Sequence, residues 1–218
     1  MSRKTYNGEG IDVTFDLRRC IHVAECGKRL QVVFDVKKRP WAQPDNASVD
    51  EVARTIEHCP SGALGYIRKD GGSQEQPSQI NTIVIKGSGE YRIHGDVQVT
   101  KMDGEVIEED YRMTLCRCGD SANKPFCDNT HKKARFVAES TVHDNSAETA
   151  AFEAGGLLNI VMAPGPLLVN GKFEIQDESG NQVFRGDKTA LCRCGDSANK
   201  PFCDGTHKNN GFYERNGL

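Results

Sequence analysis

Two stretches of the chain are identical and concentrate the residues that could bind a metal. The sequence LCRCGDSANKPFCD occupies residues 115–128 and again 191–204, and in each copy three residues separate the last cysteine from a histidine. The two sets are Cys116, Cys118, Cys127 and His131, and Cys192, Cys194, Cys203 and His207. Three thiols and an imidazole within so short a segment indicate a metal centre in each copy.

The spacing within each set bears on which metal it would hold. Three cysteines and one histidine are an ordinary ligand set for structural zinc, so a zinc site is one interpretation. Zinc modules usually place two or more residues between paired cysteines, whereas only Arg117 separates Cys116 from Cys118. Thiolates that close along the chain more naturally share one iron of a binuclear iron-sulfur cluster. The residues leave both interpretations open, and the spacing favours the cluster.

The cysteine segments belong to a longer internal repeat. Shifting the chain by 76 positions, the separation of Cys116 and Cys192, also aligns Phe136 with Phe212 without a gap. Apolar runs broken by glycine-containing turns predict short antiparallel strands in each copy: TIVIKG and YRIHGDVQV in the first, LLNIVMA and PLLVNGKFEIQ in the second. The cysteine segments are rich in Gly, Asp, Ser, Asn and Pro, which predicts loops, each leading into the first turn of a short helix.

The repeated motif resembles the signature of the CDGSH iron-sulfur proteins. The second copy, CRCGDSANKPFCDGTH, is similar along its entire length, with Thr206 where the family has serine. The first copy has Asn129 where the family has glycine, and asparagine is the residue that best tolerates the left-handed conformation expected there. The resemblance covers roughly residues 83–136 and 159–212.

The resemblance implies a 2Fe-2S cluster in each copy, held by three cysteines and one histidine. In the family arrangement, Cys116 and Cys118 hold the inner iron and Cys127 and His131 the outer, more exposed one; Cys192, Cys194, Cys203 and His207 would do the same. A histidine ligand raises the reduction potential, and an exposed one can take up a proton. Family members with two motifs resemble a dimer fused into one chain, which implies a pseudo-twofold intramolecular dimer.

A third set of cysteines, Cys20, Cys26 and Cys59, lies in the first quarter of the chain. Their pattern, C-x5-C and a distant C-P, matches that of bacterial ferredoxins without the middle cysteine, and Val23 stands at the missing position. Residues 8–67 resemble the divergent mono-cluster 4Fe-4S ferredoxin-like domain, which implies a 3Fe-4S or 4Fe-4S cluster. Three buried free cysteines are the alternative. His22 could supply a further ligand, although its position on a short loop favours solvent.

The elements around these cysteines can be read from apolar spacing. IDVTFD predicts a strand before Cys20, and LQVVFDV predicts a second strand after Cys26. SVDE at Ser48 is a capping box, and it predicts a helix with Val49, Val52, Ala53 and Ile56 on its buried face. Pro60 and Gly62 would end that helix just after Cys59.

Composition limits the classes of function. Among 218 residues, 28 are basic and 31 acidic, so the net charge of -3 gives no basic surface for nucleic acid. Only 37% of the residues are hydrophobic, and no stretch approaches the roughly 18 apolar residues of a membrane span. The first residues, MSRKTYNGEG, contain no apolar segment typical of a secretion signal. We therefore expect a cytoplasmic protein whose cysteines are reduced.

Together these observations predict an α+β iron-sulfur protein. The expected organisation is a ferredoxin-like domain at 1–67, a linker at 68–80, β-rich CDGSH modules at 81–138 and 157–218, and a connector at 139–156. Electron transfer is the expected activity, with an unidentified redox protein as partner and the chain itself a monomer. The alternatives are a labile cluster store or redox and pH sensor, and a structural zinc-binding module. No substrate-turnover site is recognisable, so an enzyme is not expected.

Overall fold

The computed structural model of the protein describes residues 3–142 and 155–217. The chain divides into two units, an N-terminal unit, Met1–Gln76, and a C-terminal unit, Pro77–Leu218. Helices and strands both occur, which confirms the α+β class. Most of the predicted connector 139–156, including His143, lies outside the described residues.

An antiparallel sheet of three strands forms the N-terminal unit together with two helices. The strands are β1 (Lys4–Tyr6), β2 (Ile11–Phe15) and β3 (Leu64–Arg68), in the order β1-β2-β3. The helices are α1 (Glu25–Arg29) and α2 (Val49–Glu57), and short 3-10 turns occupy Leu17–Arg19 and Pro44–Asn46. Ile11 and Val13 are fully buried because alternate residues of β2 face one side. The predicted strand IDVTFD is therefore confirmed.

Helix α2 begins at the predicted capping box. The Glu51 N–H donates to the Ser48 hydroxyl at 3.4 Å, and the Ser48 N–H donates to the Glu51 carboxylate at 3.1 Å. Val52, Ala53 and Ile56 are buried against the sheet side of the unit, as their spacing predicts. The helix ends at Glu57, and its capping residue His58 directly precedes Cys59.

The predicted strand LQVVFDV at 30–36 is wrong. This segment forms turns, and its one ladder contact is an isolated bridge between Phe34 and Ala42. Val33 and Phe34 are both buried although they are adjacent, which a strand with alternating faces does not allow. Phe34 instead packs on Trp41, with the ring centroids 5.9 Å apart. The packing of Phe34 on Trp41, rather than strand pairing, fixes the conformation of the segment.

The C-terminal unit is built on a six-stranded sheet. Its strands are β4 (Thr82–Ile85), β5 (Tyr91–Lys101), β6 (Val106–Leu115), β7 (Leu158–Met162), β8 (Leu167–Gln176) and β9 (Gln182–Leu191). Hairpins β5-β6 and β8-β9 carry the two repeats, and the last residue of each hairpin, Leu115 or Leu191, directly precedes the first cysteine. The helices are α3 (Thr130–Lys133) and α4 (Phe212–Asn216), and a 3-10 turn occupies Thr206–Lys208.

Each short strand joins the hairpin of its own repeat to that of the other. Strand β4 pairs antiparallel with β5 and parallel with β8, while β7 pairs antiparallel with β8 and parallel with β5. Antiparallel pairing within each repeat was expected, but the parallel pairing between repeats was not. The two repeats consequently bury one common core, which includes Ile83, Ile93, Ile160, Phe173 and Ile175.

Within residues 3–142 and 155–217, no helix combines the length and apolar composition of a membrane-spanning segment.

Candidate iron-sulfur sites

The first cysteine loop is tied to the end of β6. The Cys116 N–H donates to the Pro125 carbonyl at 2.8 Å, and the Cys127 N–H donates to the Thr114 carbonyl at 3.0 Å. Both ends of the loop are thus held to one strand end, which brings cysteines eleven positions apart in sequence to the same place. Strand β6, which the sequence analysis did not predict, therefore positions this set.

Short polar side chains fix the loop internally. The Ser121 hydroxyl donates to the Phe126 carbonyl at 2.7 Å. The Asp128 carboxylate accepts hydrogen bonds from the Ala122 and Thr130 N–H groups, both at 2.9 Å. Asp128 therefore joins the loop to the start of α3, which is a structural role. The turn into α3 passes through Asn129 at φ 69°, the left-handed conformation that the sequence predicted.

The second loop repeats this scaffold at the end of β9. The Cys192 N–H donates to the Pro201 carbonyl at 2.7 Å and the Cys203 N–H to the Ala190 carbonyl at 2.8 Å. The Ser197 hydroxyl donates to the Phe202 carbonyl, again at 2.7 Å. Identical sequence has therefore produced the same local geometry twice.

Within each loop the four candidate ligands form two close pairs. The sulfurs of Cys116 and Cys118 are 3.8 Å apart, as are those of Cys192 and Cys194. The Cys127 sulfur lies 3.5 Å from the His131 Nδ1, and the corresponding distance from Cys203 to His207 is 3.3 Å. A tetrahedral metal bound at about 2.3 Å to sulfur and about 2.05 Å to nitrogen separates two sulfurs by about 3.8 Å, and sulfur from nitrogen by about 3.6 Å. Each pair therefore has the spacing of two ligands on one metal.

The two pairs of a loop do not converge on a single ion. Among the described residues, the one triad of cysteine, histidine or acidic side chains with ligand atoms all within 4.8 Å is Glu90, Cys127 and His131. No three of Cys116, Cys118, Cys127 and His131 meet that limit, nor do three of the second set. A mononuclear tetrahedral site would bring all four atoms within about 4 Å of each other. The donor geometry fits two adjacent metals.

The thiols of each C-x-C pair share a proton. A hydrogen bond with Cys118 lowers the pKa of Cys116 to about 6, and the same bond raises that of Cys118. In the second loop, the hydrogen bond with Cys192 lowers the pKa of Cys194 to about 6, and Cys192 has the raised value. Each pair thus provides one thiolate near neutral pH, and the second proton leaves as metal binds.

The remaining ligands are more buried than expected. His131 and His207 are only 7% and 6% exposed, so the expectation of an exposed imidazole is wrong for both. Burial lowers the pKa of each, which favours the neutral imidazole, and the Nδ1 of each ring faces the neighbouring sulfur. Burial also raises the pKa of Cys127 to about 12, with a further contribution from the Glu90 carboxylate. Cys203 is partly exposed, so the second loop is the more accessible.

The arginine inside each C-R-C segment is a structural element that the sequence analysis missed. Arg117 and Arg193 are 1% and 3% exposed. Arg117 donates to the carbonyls of Lys86 and Glu139, at 3.0 and 2.7 Å. Arg193 donates to the Gly165 carbonyl at 3.0 Å, among other carbonyls of the same turn. Each guanidinium is buried and fastens its cysteine loop to backbone carbonyls of neighbouring segments.

The two cysteine loops touch each other. A Cβ atom on Gly119 would lie 2.4 Å from the Cys194 carbonyl oxygen, and one on Gly195 would lie 2.5 Å from the Cys118 carbonyl oxygen. Both glycines have positive φ, 88° and 87°. The contact is therefore reciprocal, and it brings the inner cysteine pairs of the two repeats together.

The N-terminal cysteines surround a cavity in their own unit. Phe15 on β2 pairs with Leu64 on β3, which brings Cys20 and Cys59 to the same end of the sheet, and Cys26 lies on α1. All three line a cavity of about 880 Å³. Burial raises the pKa of Cys20 and Cys26, and Cys59 adds to both shifts because its sulfur is a nearby like charge. Three half-buried thiols therefore line one cavity, an arrangement that a shared cluster would require.

Other predicted side chains occupy definite positions. The His22 Nδ1 is 3.7 Å from the Cys20 sulfur, yet the residue is exposed. Lys124 and Lys200 donate to the carbonyls of Ser121 and Ser197 at 2.5 and 2.6 Å. Among the described residues, which include all nine cysteines, no disulfide occurs.

Two further residues near the loops were missed, Glu90 and Tyr91. Glu90 lies beside His131, and the Tyr91 hydroxyl reaches the second cysteine loop. Positions 90 and 91 align with Pro166 and Leu167, but most positions of these strands differ between the two copies. The sequence alone therefore singles out neither residue.

Comparisons with known proteins agree with this geometry. Residues 88–132 and 164–208 match the family described as iron-binding zinc finger, CDGSH type. Residues 6–69 match the family described as divergent 4Fe-4S mono-cluster. These matches confirm the two resemblances noted in the sequence.

Two curated relatives are similar to part of the chain. The uncharacterized protein YjdI of Escherichia coli strain K12 is 41% identical over 66 residues, which is 30% of this chain and 87% of the relative. YjdI of Escherichia coli O157:H7 matches with the same identity and coverage. No solved structure matches this chain.

Proposed function

The chain belongs to the CDGSH iron-binding family and carries a divergent 4Fe-4S mono-cluster domain before its two CDGSH motifs, and on that premise we propose that it is a three-cluster electron carrier. Each cysteine loop would hold a 2Fe-2S cluster through three cysteines and one histidine. Cys20, Cys26 and Cys59 would hold a 3Fe-4S or 4Fe-4S cluster. A 2Fe-2S cluster takes up and releases one electron.

The pairing of the ligands is the observation that carries this proposal. Cys116 with Cys118, and Cys127 with His131, each have the spacing of two ligands on one metal, while no three of the four converge. This pattern supports a binuclear cluster over a single zinc ion. The neutral imidazoles and the thiolates of the C-x-C pairs supply ligands in the state that a metal requires.

The contact between the loops supports electron exchange between the two 2Fe-2S clusters. Gly119 lies against the Cys194 carbonyl and Gly195 against the Cys118 carbonyl, so the backbones of the two cysteine loops are in direct contact. The exchanged strand pairings of β4 and β7 have the form expected of a pseudo-twofold intramolecular dimer. A monomer that passes electrons to an unidentified redox protein follows from this arrangement as part of the proposal.

Metal analysis and EPR of anaerobically purified protein test the proposal. We expect a coloured protein with about seven to eight irons per chain, 2Fe-2S signals after dithionite, and a separate signal from the N-terminal cluster. The variant C194S should lose about two irons and one 2Fe-2S signal, and C59S should lose only the N-terminal signal. A colourless protein with stoichiometric zinc and no sulfide after iron-replete expression would contradict the proposal.

A cluster donor is the second candidate, because Cys203 is partly exposed whereas Cys127 is buried. Incubation with an apo-ferredoxin separates the two functions. Stoichiometric transfer of iron and sulfide to the acceptor would favour donation, and retention of all clusters through repeated reduction and oxidation favours the carrier.

A further inference from the structure

The two CDGSH loops differ in what faces the distal nitrogen of the histidine. In the first loop, the Nε2 of His131 lies 3.9 Å from a carboxylate oxygen of Glu90, and Glu90 is only 5% exposed. This distance is longer than a direct hydrogen bond, so the interaction is one of charge. Position 90 aligns with Pro166 in the second repeat, which has no carboxylate to offer.

A second residue peculiar to the first repeat holds Glu90 in place. The Arg92 Nε donates to Glu90 Oε1 at 2.8 Å, which leaves Oε2 directed at the imidazole. Arg92 aligns with Leu168, so the pair is absent from the second repeat. A guanidinium partner stabilises the charged form of a buried carboxylate. The first loop therefore has a carboxylate oxygen beside its histidine, with a guanidinium on the other oxygen, and the second loop lacks both.

The second histidine has different neighbours. A Cβ on Gly165 would lie 2.1 Å from the His207 Nε2, so backbone occupies the space next to that nitrogen. The ring of Tyr213 packs edge-on to His207, with centroids 5.6 Å apart. The charges of Lys208 and Arg193 act with burial to lower the pKa of His207, whereas Glu90 opposes the effect of burial on the pKa of His131. Each imidazole also has a lysine and an aspartate nearby, Lys132 and Asp128 for His131 and Lys208 and Asp204 for His207, so the difference between the two lies in Glu90 at the first and Arg193 at the second.

We propose that Glu90 is a positioning residue that makes the two CDGSH clusters unequal, giving the first a lower reduction potential than the second. The inference rests on the proposed function, because it concerns clusters held by those loops. Electrons that enter the C-terminal unit therefore settle on the second loop, whose Cys203 is partly exposed.

The direction of the difference in reduction potential follows from the charge of the carboxylate. Reduction adds one electron to a cluster, and a nearby fixed carboxylate in a buried site makes that addition less favourable. Glu90 acts on both ligands of the outer pair, since it lies within 4.8 Å of the Cys127 sulfur as well as the His131 nitrogen. Outer contacts of this kind tune a metal centre without binding it.

A redox titration of the full chain followed by EPR, with dithionite as reductant, tests the inference. We expect the wild type to show two separate one-electron steps for the 2Fe-2S clusters. In E90Q the lower step should move toward the upper one, with at least a tenfold change in the ratio of reduced to oxidised cluster at fixed potential, about 59 mV. R92L, which introduces the residue of the second repeat, should move the lower step further down.

Two control variants separate charge from packing. E90D keeps the carboxylate and should retain two separate steps. E105Q removes the same charge from the β5-β6 turn, roughly 35 Å along β6 from Cys116, and should leave both steps unchanged.

The outcomes are distinguishable from failure of the proposed function. Clusters that are present but titrate identically in the wild type and E90Q would overturn the role of Glu90 and leave the carrier intact. Equal shifts in E90Q and E90D would also overturn it, because packing would then be the cause. A protein without reducible clusters would overturn the carrier and the role of Glu90 together.

Discussion

The hydroxyl of Tyr91, in the first repeat, lies 2.9 Å from the backbone carbonyl of Cys192, in the second. It also lies 3.1 Å from the Pro201 carbonyl, which accepts the hydrogen bond that closes the second loop. Tyr91 is fully buried, so water does not replace this donor. A residue of one repeat thus completes the cysteine loop of the other.

Y91F should therefore weaken the second loop. The substitution removes the buried hydroxyl that donates to the Cys192 carbonyl, which costs about 1–3 kcal/mol in the free energy of unfolding of the C-terminal unit. Urea unfolding and the rate of iron release to a chelator measure the effect. Iron loss should begin with the cluster of the second loop. Y111F, on β6, is the matched control and should change neither quantity. Equal stability of Y91F and wild type would contradict the assigned role.

A single methyl group at Gly119 should disturb both loops. In G119A the Cβ would meet the backbone of Cys194 at 2.4 Å, and alanine at φ 88° adds strain of about 1–2 kcal/mol. We expect G119A to lose iron and sulfide from both CDGSH sites, because neither backbone can move without the other.

Gly104 provides the control for G119A. It has nearly the same φ, 90°, and nothing lies within 4 Å of a Cβ placed there. G104A should therefore lose only the stability that the backbone strain costs, and it should retain all its iron. If G104A and G119A lose iron equally, backbone strain rather than the contact between loops is the cause.

Val23→Cys should complete the N-terminal ligand set. Val23 lines the same cavity as Cys20, Cys26 and Cys59, at the position where ferredoxins have their middle cysteine. We expect the variant to hold a 4Fe-4S cluster, with about one more iron per chain than V23S, as measured by iron analysis and EPR. Identical spectra of V23C and V23S would show that the natural ligands already complete the cluster.

The stability of the N-terminal unit at the start of its cysteine loop should depend on pH through Asp16. Burial alone would raise the pKa of Asp16, but hydrogen bonds from the Arg18 side chain and N–H outweigh it and hold the pKa below its usual value. Because the folded-state pKa is lowered, the stabilisation is complete above the unfolded pKa of about 3.9 and is lost as the pH falls through the folded value. D16A should cost about 1 kcal/mol at pH 7 and less below pH ~4.

Trp41 fluorescence during urea unfolding measures the effect of D16A, since this single tryptophan lies in the N-terminal unit. A cost of D16A that stays constant from pH 7 to acid would show that the ionised carboxylate is not the stabilising group.

Much of the local structure was predictable because it depends on neighbouring residues. The capping box at Ser48 and Glu51 needs only three intervening peptide groups, and it appears as predicted. Asn129 adopts the left-handed conformation because the turn before α3 requires it. LQVVFDV was predicted wrongly because Phe34 packs on Trp41 while Val32 and Val36 are exposed, and a pattern of apolar spacing does not report such a tertiary contact.

Two kinds of information thus define this protein. The sequence alone determined the candidate ligands, their grouping in threes, the repeat of 76 residues and both family resemblances, because these are properties of residue type and spacing. Only the tertiary structure decided how the copies differ and where they meet. Glu90 reaches His131, Tyr91 reaches Cys192, and Gly119 reaches Cys194 through strand pairings that join residues 41 to 101 positions apart, and no local pattern encodes such contacts.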